Sequence, residues 1–393
     1  MNFKTLEDYN VFGKKVLIRV DLNVPILNGL VTDITRLDRV IPTINFVLSH
    51  GGIPILLAHR GRPNGVIRKD MSLDIIAPHL EAKLGKKVTF INSNYLKETQ
   101  KLSPNNVALL ENLRFHPGEE KNELSFARNL AELGDLYVND AFSVSHRAHG
   151  STHALAQLLP NCIGKCLESE LTTLESFLSN PTRPLTAVVG GAKISTKIQL
   201  LFNLTSKSDN LIIGGGMANT FLQAKGFEIG KSLTQSSMLG VAKEILAKAD
   251  KSGCRIYLPS DIVVSSELQK NSETEILPAT NCPKNSMILD AGPQTITEIQ
   301  KILKRTKTLI WNGPLGAFEV SPFDNATNKA AQLAAELTMN GEMVSVAGGG
   351  DTIAALQNSG ALSGFSYVST AGGAFLEWLE GKPLPGISVI MER

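Results

Sequence analysis

Cysteine is scarce in this chain: four residues in 393, too few to staple a protein of that length with disulfides. Cys162 and Cys166 could share one helical face, yet no second pair stands close enough to complete a tetrahedral zinc site. Structural thiols and a reducing, cytoplasmic setting are expected. Surplus charge is also missing. Lys and Arg number 39 against 37 Asp and Glu, a net charge of +2, which gives no reason to expect nucleic acid or an anionic membrane as a partner. Any basic patch has to be local. No apolar run reaches the ~18 residues that a membrane span needs. The first residues, Met1 to Lys15, carry Glu7 and Asp8 and make a poor signal peptide. Three stock motifs are absent as well. No Gly-x-Gly-x-x-Gly follows the first strand-like segment, which argues against a dinucleotide dehydrogenase, and no Gly-x-Ser-x-Gly marks a hydrolase. The run Gly226-Phe227-Glu228-Ile229-Gly230-Lys231-Ser232 imitates a phosphate loop, but it is one residue short between its glycines and follows a helix-like segment.

What is present is an alternation of short β-branched runs with helical patterns, the signature of βαβ units and parallel sheets. Apolar residues make up 42% and charged residues 19%, ordinary for a globular protein, and the length exceeds what one core usually holds, so two domains are expected. In the first half, strands are predicted at 15–20, 53–58, 107–110 and 136–138, with a helix over 72–84 that Ser72 can cap and whose Leu73, Ile76, Leu80 and Leu84 share a face. In the second half, strands are predicted at 186–189, 211–213, 255–258, 308–311, 343–347 and 367–368. Between the sets, Leu167, Leu171, Leu174 and Leu178 recur at helical spacing until Asn180-Pro181-Thr182-Arg183-Pro184 stops the helix, and the domain junction is placed there.

Ligands of open α/β sheets bind beyond the carboxyl ends of the strands, so the residues that follow each strand carry the functional signal. In the first half they are polar and basic: Asp21-Leu22-Asn23, His59-Arg60-Gly61-Arg62, Glu111-Asn112-Leu113-Arg114-Phe115-His116, and Asn139-Asp140 with His146-Arg147-Ala148-His149. One arginine in a loop is ordinarily a solvated charge. Arg or His at four strand ends makes an anion site, because guanidinium forks match phosphate and carboxylate. In the second half the followers are glycine-rich: Gly190-Gly191-Ala192-Lys193, Gly214-Gly215-Gly216, Gly348-Gly349-Gly350-Asp351-Thr352, and Ser369-Thr370-Ala371-Gly372-Gly373. A single pair of glycines is more often a tight turn. Four such turns, each opening a helix-like segment, suit a polyphosphate, with a nucleotide the best candidate. Lys193 and Lys197 lie four apart at one such helix start and could face the same phosphates. Asp351 could cap its helix or contact Mg²⁺, which favours few carboxylates plus phosphate oxygens.

Together and in this order, these segments resemble one family, phosphoglycerate kinase, along nearly the whole chain. The resemblance is carried by Arg19-Val20-Asp21-Leu22-Asn23-Val24-Pro25, Gly61-Arg62-Pro63, Glu111-Asn112-Leu113-Arg114-Phe115, Val138-Asn139-Asp140-Ala141-Phe142, His146-Arg147-Ala148-His149, Gly190-Gly191-Ala192-Lys193, Trp311-Asn312-Gly313-Pro314-Leu315-Gly316 with Phe318-Glu319, Gly348-Gly349-Gly350-Asp351-Thr352, and Leu384-Pro385-Gly386. It implies an α/β architecture of two Rossmann-like domains, each a parallel sheet flanked by helices, facing across a cleft and joined by a helix and hinge. Residues 1–166 with a returning segment 380–393 would bind the acid, 167–180 would form the interdomain helix, and 181–379 would bind the nucleotide. The implied reaction is reversible phosphoryl transfer between MgATP and the carboxylate of 3-phosphoglycerate, giving ADP and 1,3-bisphosphoglycerate, by a monomer that works in the cytoplasm and needs no nucleic acid or membrane.

By matching motif positions, the acid would meet Asp21, Leu22, Asn23, Arg36, His59, Arg60, Gly61, Arg62, Arg114 and Arg147. The nucleotide would meet Lys193, Lys197, Gly214, Asn312, Glu319 (on the ribose hydroxyls), Gly349, Gly350, Asp351 (on the metal) and Thr352. Arg36, Lys193, Lys197 and the amides of Gly372 and Gly373 would spread charge on the moving phosphoryl. A carboxylate acceptor is already ionised near neutrality, so no general base is needed and a histidine nucleophile at His59 or His149 is superfluous. Four positions depart from the family pattern: Ile34 where an acid is usual, Ala58 and Arg60 around His59, and Ala371 for a glycine, the last strained if that backbone needs positive φ. Two rivals are a two-domain binding protein without chemistry, which leaves Lys193, Lys197 and Asp351 unexplained, and a kinase for another small acid.

Overall fold

The computed structural model describes residues 3–178, 180–369 and 371–391. Of the segments singled out from sequence, the first two residues of 1–166, Ser179 of 167–180, Thr370 and the last two residues of 380–393 lie outside the described residues. The chain divides into two compact units, Met1–Thr172 with Pro383–Arg393, and Thr173–Lys382. The division falls inside the helix Lys165–Leu178.

The first unit is built on six parallel strands, Lys15–Arg19, Ile53–Leu57, Val88–Ile91, Val107–Leu110, Leu136–Asn139 and Asn161–Ile163. In chain order they stack as third, fourth, second, first, fifth and sixth. The central strands are buried along almost their whole length, as expected where helices cover both faces of a parallel sheet. Register sets the site: Arg19 lies opposite both Leu57 and Asn139. The residues that follow, Asp21, His59 and Asp140, therefore leave the sheet at one rim. Between Asn23 and Arg36 the chain forms a small hairpin, Ile26–Leu27 with Leu30–Val31. Asn28 and Gly29 both have positive φ, the two-residue turn that matches strand twist. The helix Thr35–Ser49 then presents Leu37, Val40, Ile44, Val47 and Leu48 to the core.

The second unit has six parallel strands, Leu185–Val189, Asn210–Ile213, Arg255–Tyr257, Thr308–Asn312, Val344–Gly348 and Tyr367–Ser369. They stack as third, second, first, fourth, fifth and sixth, the doubly wound order whose ligand crevice lies where the order reverses. Here that point falls between Leu185–Val189 and Thr308–Asn312, with Val189 opposite Asn312 and Ile213. A three-stranded antiparallel sheet, Asp261–Ser265 with Glu275–Pro278 and Met287–Ala291, adjoins it in sequence and was not expected. Two other predictions shift. The helix expected from Ser72 begins as a 3-10 turn, Asp74–Ile76, and is α-helical only over Ala77–Leu84. Ser72 accepts from the Asp74 amide at 3.2 Å while its hydroxyl donates to Glu111 at 2.7 Å, so it ties the turn to the neighbouring strand end. The strands Val88–Ile91 and Asn161–Ile163 are not among those predicted.

Candidate active site

Most of the first-unit residues expected to meet the acid form one connected rim. Arg36 donates to Oδ2 of Asp21, which also accepts from Ser143 Oγ at 2.6 Å. Oδ1 of Asp21 accepts from the Asn23 amide at 3.0 Å, and Asn23 Oδ1 accepts from the Gly61 amide at 3.1 Å. The Gly61 carbonyl in turn accepts from Arg114 Nη1 at 2.7 Å. Buried Asn112 clamps two loops together: its Oδ1 accepts from the amides of Arg60 and Arg114, and its Nδ2 donates to the carbonyls of Arg60 and Met71.

The rim carries more positive charge than it can pair. Burial raises the affinity of the Asp21 carboxyl for its proton, but Arg36 beside it wins and brings its pKa down to about 2, so Asp21 is an ionised acceptor inside a basic site. His59, 5% exposed, is held well below its usual pKa by burial and by the Arg19 and Arg114 guanidinium groups. Burial and neighbouring arginines bring His146 and His149 down to about 4. All three imidazoles are thus neutral near pH 7. Arg19 Nη2 lies 3.1 Å from His59 Nδ1; a guanidinium can only donate, so Nδ1 accepts and Nε2 holds the proton. Arg114, 3% exposed, is lowered to about 10 by burial, and its Nη2 has no hydrogen-bond partner among the described residues. An orphaned, buried guanidinium nitrogen is costly unless a ligand oxygen completes it.

Two arginines differ from expectation. Arg60 Nη1 donates to the Ser72 carbonyl at 3.1 Å, so its side chain is anchored on the 3-10 turn instead of adding charge beside the acid. Arg19, inside a strand, is not among the expected site residues, yet it is fully buried, donates through Nε to Ser151 at 2.8 Å, and Ser151 passes the contact to Glu119 at 2.6 Å. Arg62 is exposed and Arg147 half-buried, with Arg147 Nε donating to His146 at 3.1 Å.

In the second unit the glycine-rich strand ends meet at the switch point. A Cβ on Gly190 would stand 1.7 Å from the Pro314 carbonyl oxygen, so the two turns touch backbone to backbone and only glycine fits there. Lys197 Nζ donates to the carbonyls of Gly190 at 2.7 Å and Asn312 at 3.0 Å, and burial pulls its pKa down to about 8. Lys193 is exposed. The two lysines are not one helical turn apart as expected. A 3-10 turn, Ile194–Thr196, separates them, and the α-helix Ile198–Lys207 begins after Lys197. Asn312 donates to the Gly348 carbonyl at 2.6 Å, and Thr352 Oγ1 ties Gly348 to the Gly313 amide, 2.8 Å on each side. Gly214 caps the helix Gly215–Ala224, Gly349 the helix Gly350–Asn358, and Gly372 the helix Gly373–Leu379. Gly372 has φ +51° and ψ −106°. Ala371 is buried, and its amide donates to Ser369 Oγ at 3.3 Å.

A cavity of about 280 Å³ opens beside these turns. Its floor is apolar, including Leu233, Met287, Leu289, Leu315 and Phe318, and both Glu319 and Asp351 border it. No group of three or more His, Cys, Asp and Glu side chains among the described residues could hold a metal by itself. Asp351, exposed in the first turn of its helix, is a lone carboxylate beside helix amides, a donor set that suits Mg²⁺ when phosphate oxygens supply the remaining ligands.

A family model for phosphoglycerate kinase matches residues 6–382. A phosphoglycerate kinase of Ruegeria sp. (strain TM1040) is 55% identical over 394 residues, covering 99% of this chain and 100% of that protein. One from Ruegeria pomeroyi is 55% identical over 396 residues, covering 100% of both. The solved structure of phosphoglycerate kinase from Coxiella burnetii superposes with a TM-score of 0.94 at 42% identity over 100% of both chains. That from Pyrococcus horikoshii OT3 superposes at 0.76 and 29% identity over 98% of each.

Proposed function

The chain belongs to the phosphoglycerate kinase family, and from that premise we propose how its two rims divide the reaction. The enzyme moves a phosphoryl group reversibly between ATP and the carboxylate of 3-phosphoglycerate, the step of glycolysis that forms ATP when run in reverse. In our reading the basic rim of the first unit takes the acid and the glycine-rich rim of the second takes the nucleotide. The observation that carries this is the contrast between them. One rim holds buried guanidinium groups with an orphaned nitrogen on Arg114. The other holds strand-to-helix turns around a cavity with an apolar floor.

The acid's phosphate and carboxylate meet Arg36, Arg62, Arg114 and Arg147, with His59 donating through Nε2. Asp21, ionised in the middle of these cations, can only accept, so it selects an anion that also carries a hydroxyl. Asn23 and the backbone of Leu22 and Gly61 fix the loop. Arg60 supports this loop through Ser72. On the other rim the base enters the cavity, Glu319 takes the ribose hydroxyls, and the phosphates lie over the helix starts at Gly214, Gly349–Thr352 and Gly372–Gly373, where free amides favour anions. Asn312 holds Lys197 and Gly348 in place.

Asp351 would hold Mg²⁺, which when bound neutralises charge on the phosphate oxygens. Lys197 is preset by two carbonyls and gains its full charge when phosphates arrive. Arg36 and Lys193 add charge to the moving group, with the amides of Gly372 and Gly373. None of these groups takes a proton, because the attacking carboxylate is already ionised. In-line transfer requires reacting atoms within roughly 3–3.5 Å, so both ligands must be engaged at once. We read the protein as a cytoplasmic monomer, with residues 1–166 and 380–393 forming the acid domain, 167–180 the interdomain helix, and 181–379 the nucleotide domain.

The test is a coupled assay with MgATP and 3-phosphoglycerate, joined to titration of each ligand alone into wild type and Lys197→Ala. The substitution should weaken ADP binding and leave 3-phosphoglycerate binding near normal. Equal loss of both affinities would contradict a division of ligands between the units.

A further inference from the structure

A second cavity of the second unit, about 570 Å³, opens at the amino ends of its parallel strands, where Asn210 and Arg255 begin Asn210–Ile213 and Arg255–Tyr257. The glycine-rich turns stand at the carboxyl ends, where ligands of such sheets ordinarily bind, so the site already described does not reach it. Its volume falls within the roughly 300–1,000 Å³ of small-molecule sites. Four cations line it, Arg183, Arg255, Lys301 and Arg305, and one anion, Asp209. Asp209 is already engaged: Oδ1 accepts from Arg183 Nη1 and Oδ2 from the Leu185 amide, each at 2.6 Å. Arg183 Nη2 donates to the Lys207 carbonyl at 3.1 Å, the ordinary use of a basic residue beside a helix C-terminus. Arg255, Lys301 and Arg305 are exposed, and among the described residues their side chains make no hydrogen bond or ion pair. Helix dipoles do not account for them. The helices that end around the cavity, Ile198–Lys207, Leu239–Ser252 and Pro293–Leu303, bring about half a negative charge each, about one and a half together. The side chains bring four positive charges against one negative, so the larger part of the surplus stays uncompensated.

We propose that this cavity is a second anion site, separate from both rims, in which Arg255, Lys301 and Arg305 hold a small diphosphate. A concave surface lined by one sign of charge concentrates counter-ions, and guanidinium forks match phosphate oxygens in pairs. The surplus left after the dipoles exceeds one charge, so a multivalent anion suits the site better than a single carboxylate. The enclosed shape favours a small molecule over a long polyanion, which needs a flat or open stripe of charge. Asp209 stays with Arg183 and the Leu185 amide, so the anion meets the three unpaired cations and not a carboxylate.

The experiment follows the methyl signal of Ile302, which lines the cavity, by NMR while inorganic pyrophosphate or ADP is added in magnesium-free buffer. A local signal is needed because both anions can also occupy the rims. In wild type the signal should move to saturation. In the double variant Arg255→Ser with Arg305→Ser the apparent affinity at Ile302 should fall about tenfold or more, the loss of charge-assisted hydrogen bonds. That variant should keep the wild-type kcat, which shows that it is folded; Lys301→Glu takes its place if it is not. Lys225→Ser with Lys329→Ser removes as much charge from exposed positions outside the cavity and should leave the titration unchanged. Saturable binding of either anion that only the cavity variant weakens upholds the inference, and the tighter of the two tells a free diphosphate from a nucleoside diphosphate. The inference is overturned if Ile302 responds to neither anion, if the cavity variant responds as wild type does, or if the control variant loses as much affinity, which would reduce the effect to diffuse attraction.

Discussion

Replacing Arg114 by methionine separates binding from stability. Arg114 is almost fully buried, donates to the Gly61 carbonyl at 2.7 Å, and has Nε 3.4 Å from Glu120, while Nη2 is unpaired. Burial lowers its pKa from 12.5 to about 10, which at 1.36 kcal/mol per unit is a cost of about 3 kcal/mol for keeping the charge in place. Methionine removes that cost and also removes the bond to Gly61, worth about 1.5–3 kcal/mol for a charged donor. The two nearly cancel. The free protein should therefore unfold within about 1 kcal/mol of wild type, against about 3–5 kcal/mol when a well-paired buried charge is broken. Acid binding should respond very differently. On the proposed division, oxygens of 3-phosphoglycerate take the two unpaired N–H groups of Nη2, and at about 1.5 kcal/mol or more apiece their loss weakens binding by about a hundredfold or more. Titration calorimetry reads the affinity and scanning calorimetry the stability. An affinity within threefold of wild type, or a loss of stability on the scale of a broken buried pair, would refute the reasoning.

Arg36→Ala should lower kcat by a barrier of about 2–4 kcal/mol while changing the KM for ATP little; an unchanged kcat would reduce Arg36 to an anchor. Lys197, with its pKa near 8, should regain a proton when ADP binds. Titrations at pH 8.5 in buffers of different ionisation enthalpy should show uptake of about three quarters of a proton, abolished in Lys197→Ala; no uptake in wild type would mean the amine does not meet the phosphates. Gly372→Ala forces an L side chain into φ +51°, ψ −106°, so about 1–3 kcal/mol of strain should appear as a lower unfolding temperature and lower kcat; an unaffected variant would show that turn to be free to relax. Finally, the first unit should lose stability between about pH 6.5 and 4. Folded His59, His146 and His149 resist protonation that their unfolded forms accept, so the unfolded state binds more protons and stability falls as pH falls. His116, lowered by burial, adds to them, and Asp140, raised to about 7 by burial, opposes this with one proton against four. A flat unfolding temperature from pH 7 to 5 would contradict the sign.

Strands were legible where aliphatic residues are buried on both faces, as in Val-Leu-Ile at 16–18 or Ile-Leu-Leu at 55–57. Val88–Ile91 was not, because its middle residues are only half-buried, nor Asn161–Ile163, three residues opening on a polar one. In the antiparallel sheet, Glu275–Pro278 is largely exposed and gives no hydrophobic run. The Asn28-Gly29 turn was present as a hairpin signal and went unread because its strands are two residues long. The rims were legible because parallel strands of one sheet end on one side, so the Arg, His and Gly that follow them in sequence gather there. Side-chain direction was not. Nothing in the sequence says that Arg60 turns to Ser72 or that Arg19, inside a strand, joins Ser151 and Glu119. Nor does anything in it show that Arg255, Lys301 and Arg305 gather around one cavity.

The short helix Pro385–Met391 packs within the first unit, where Asn139 Nδ2 donates to the Gly386 carbonyl at 2.8 Å and the Gly386 amide donates to Ser145 at 2.9 Å. Ser145 immediately precedes His146 and Arg147. The unit translated first thus contains a piece translated after the whole of the other unit, although domains otherwise tend to fold in order of synthesis. On the ribosome the unit with the glycine-rich turns can finish early, while the loop that carries His146 and Arg147 waits for Gly386. A chain released before Gly386 could close its second unit, yet Asn139 and Ser145 in the first would lack the two bonds that Gly386 makes.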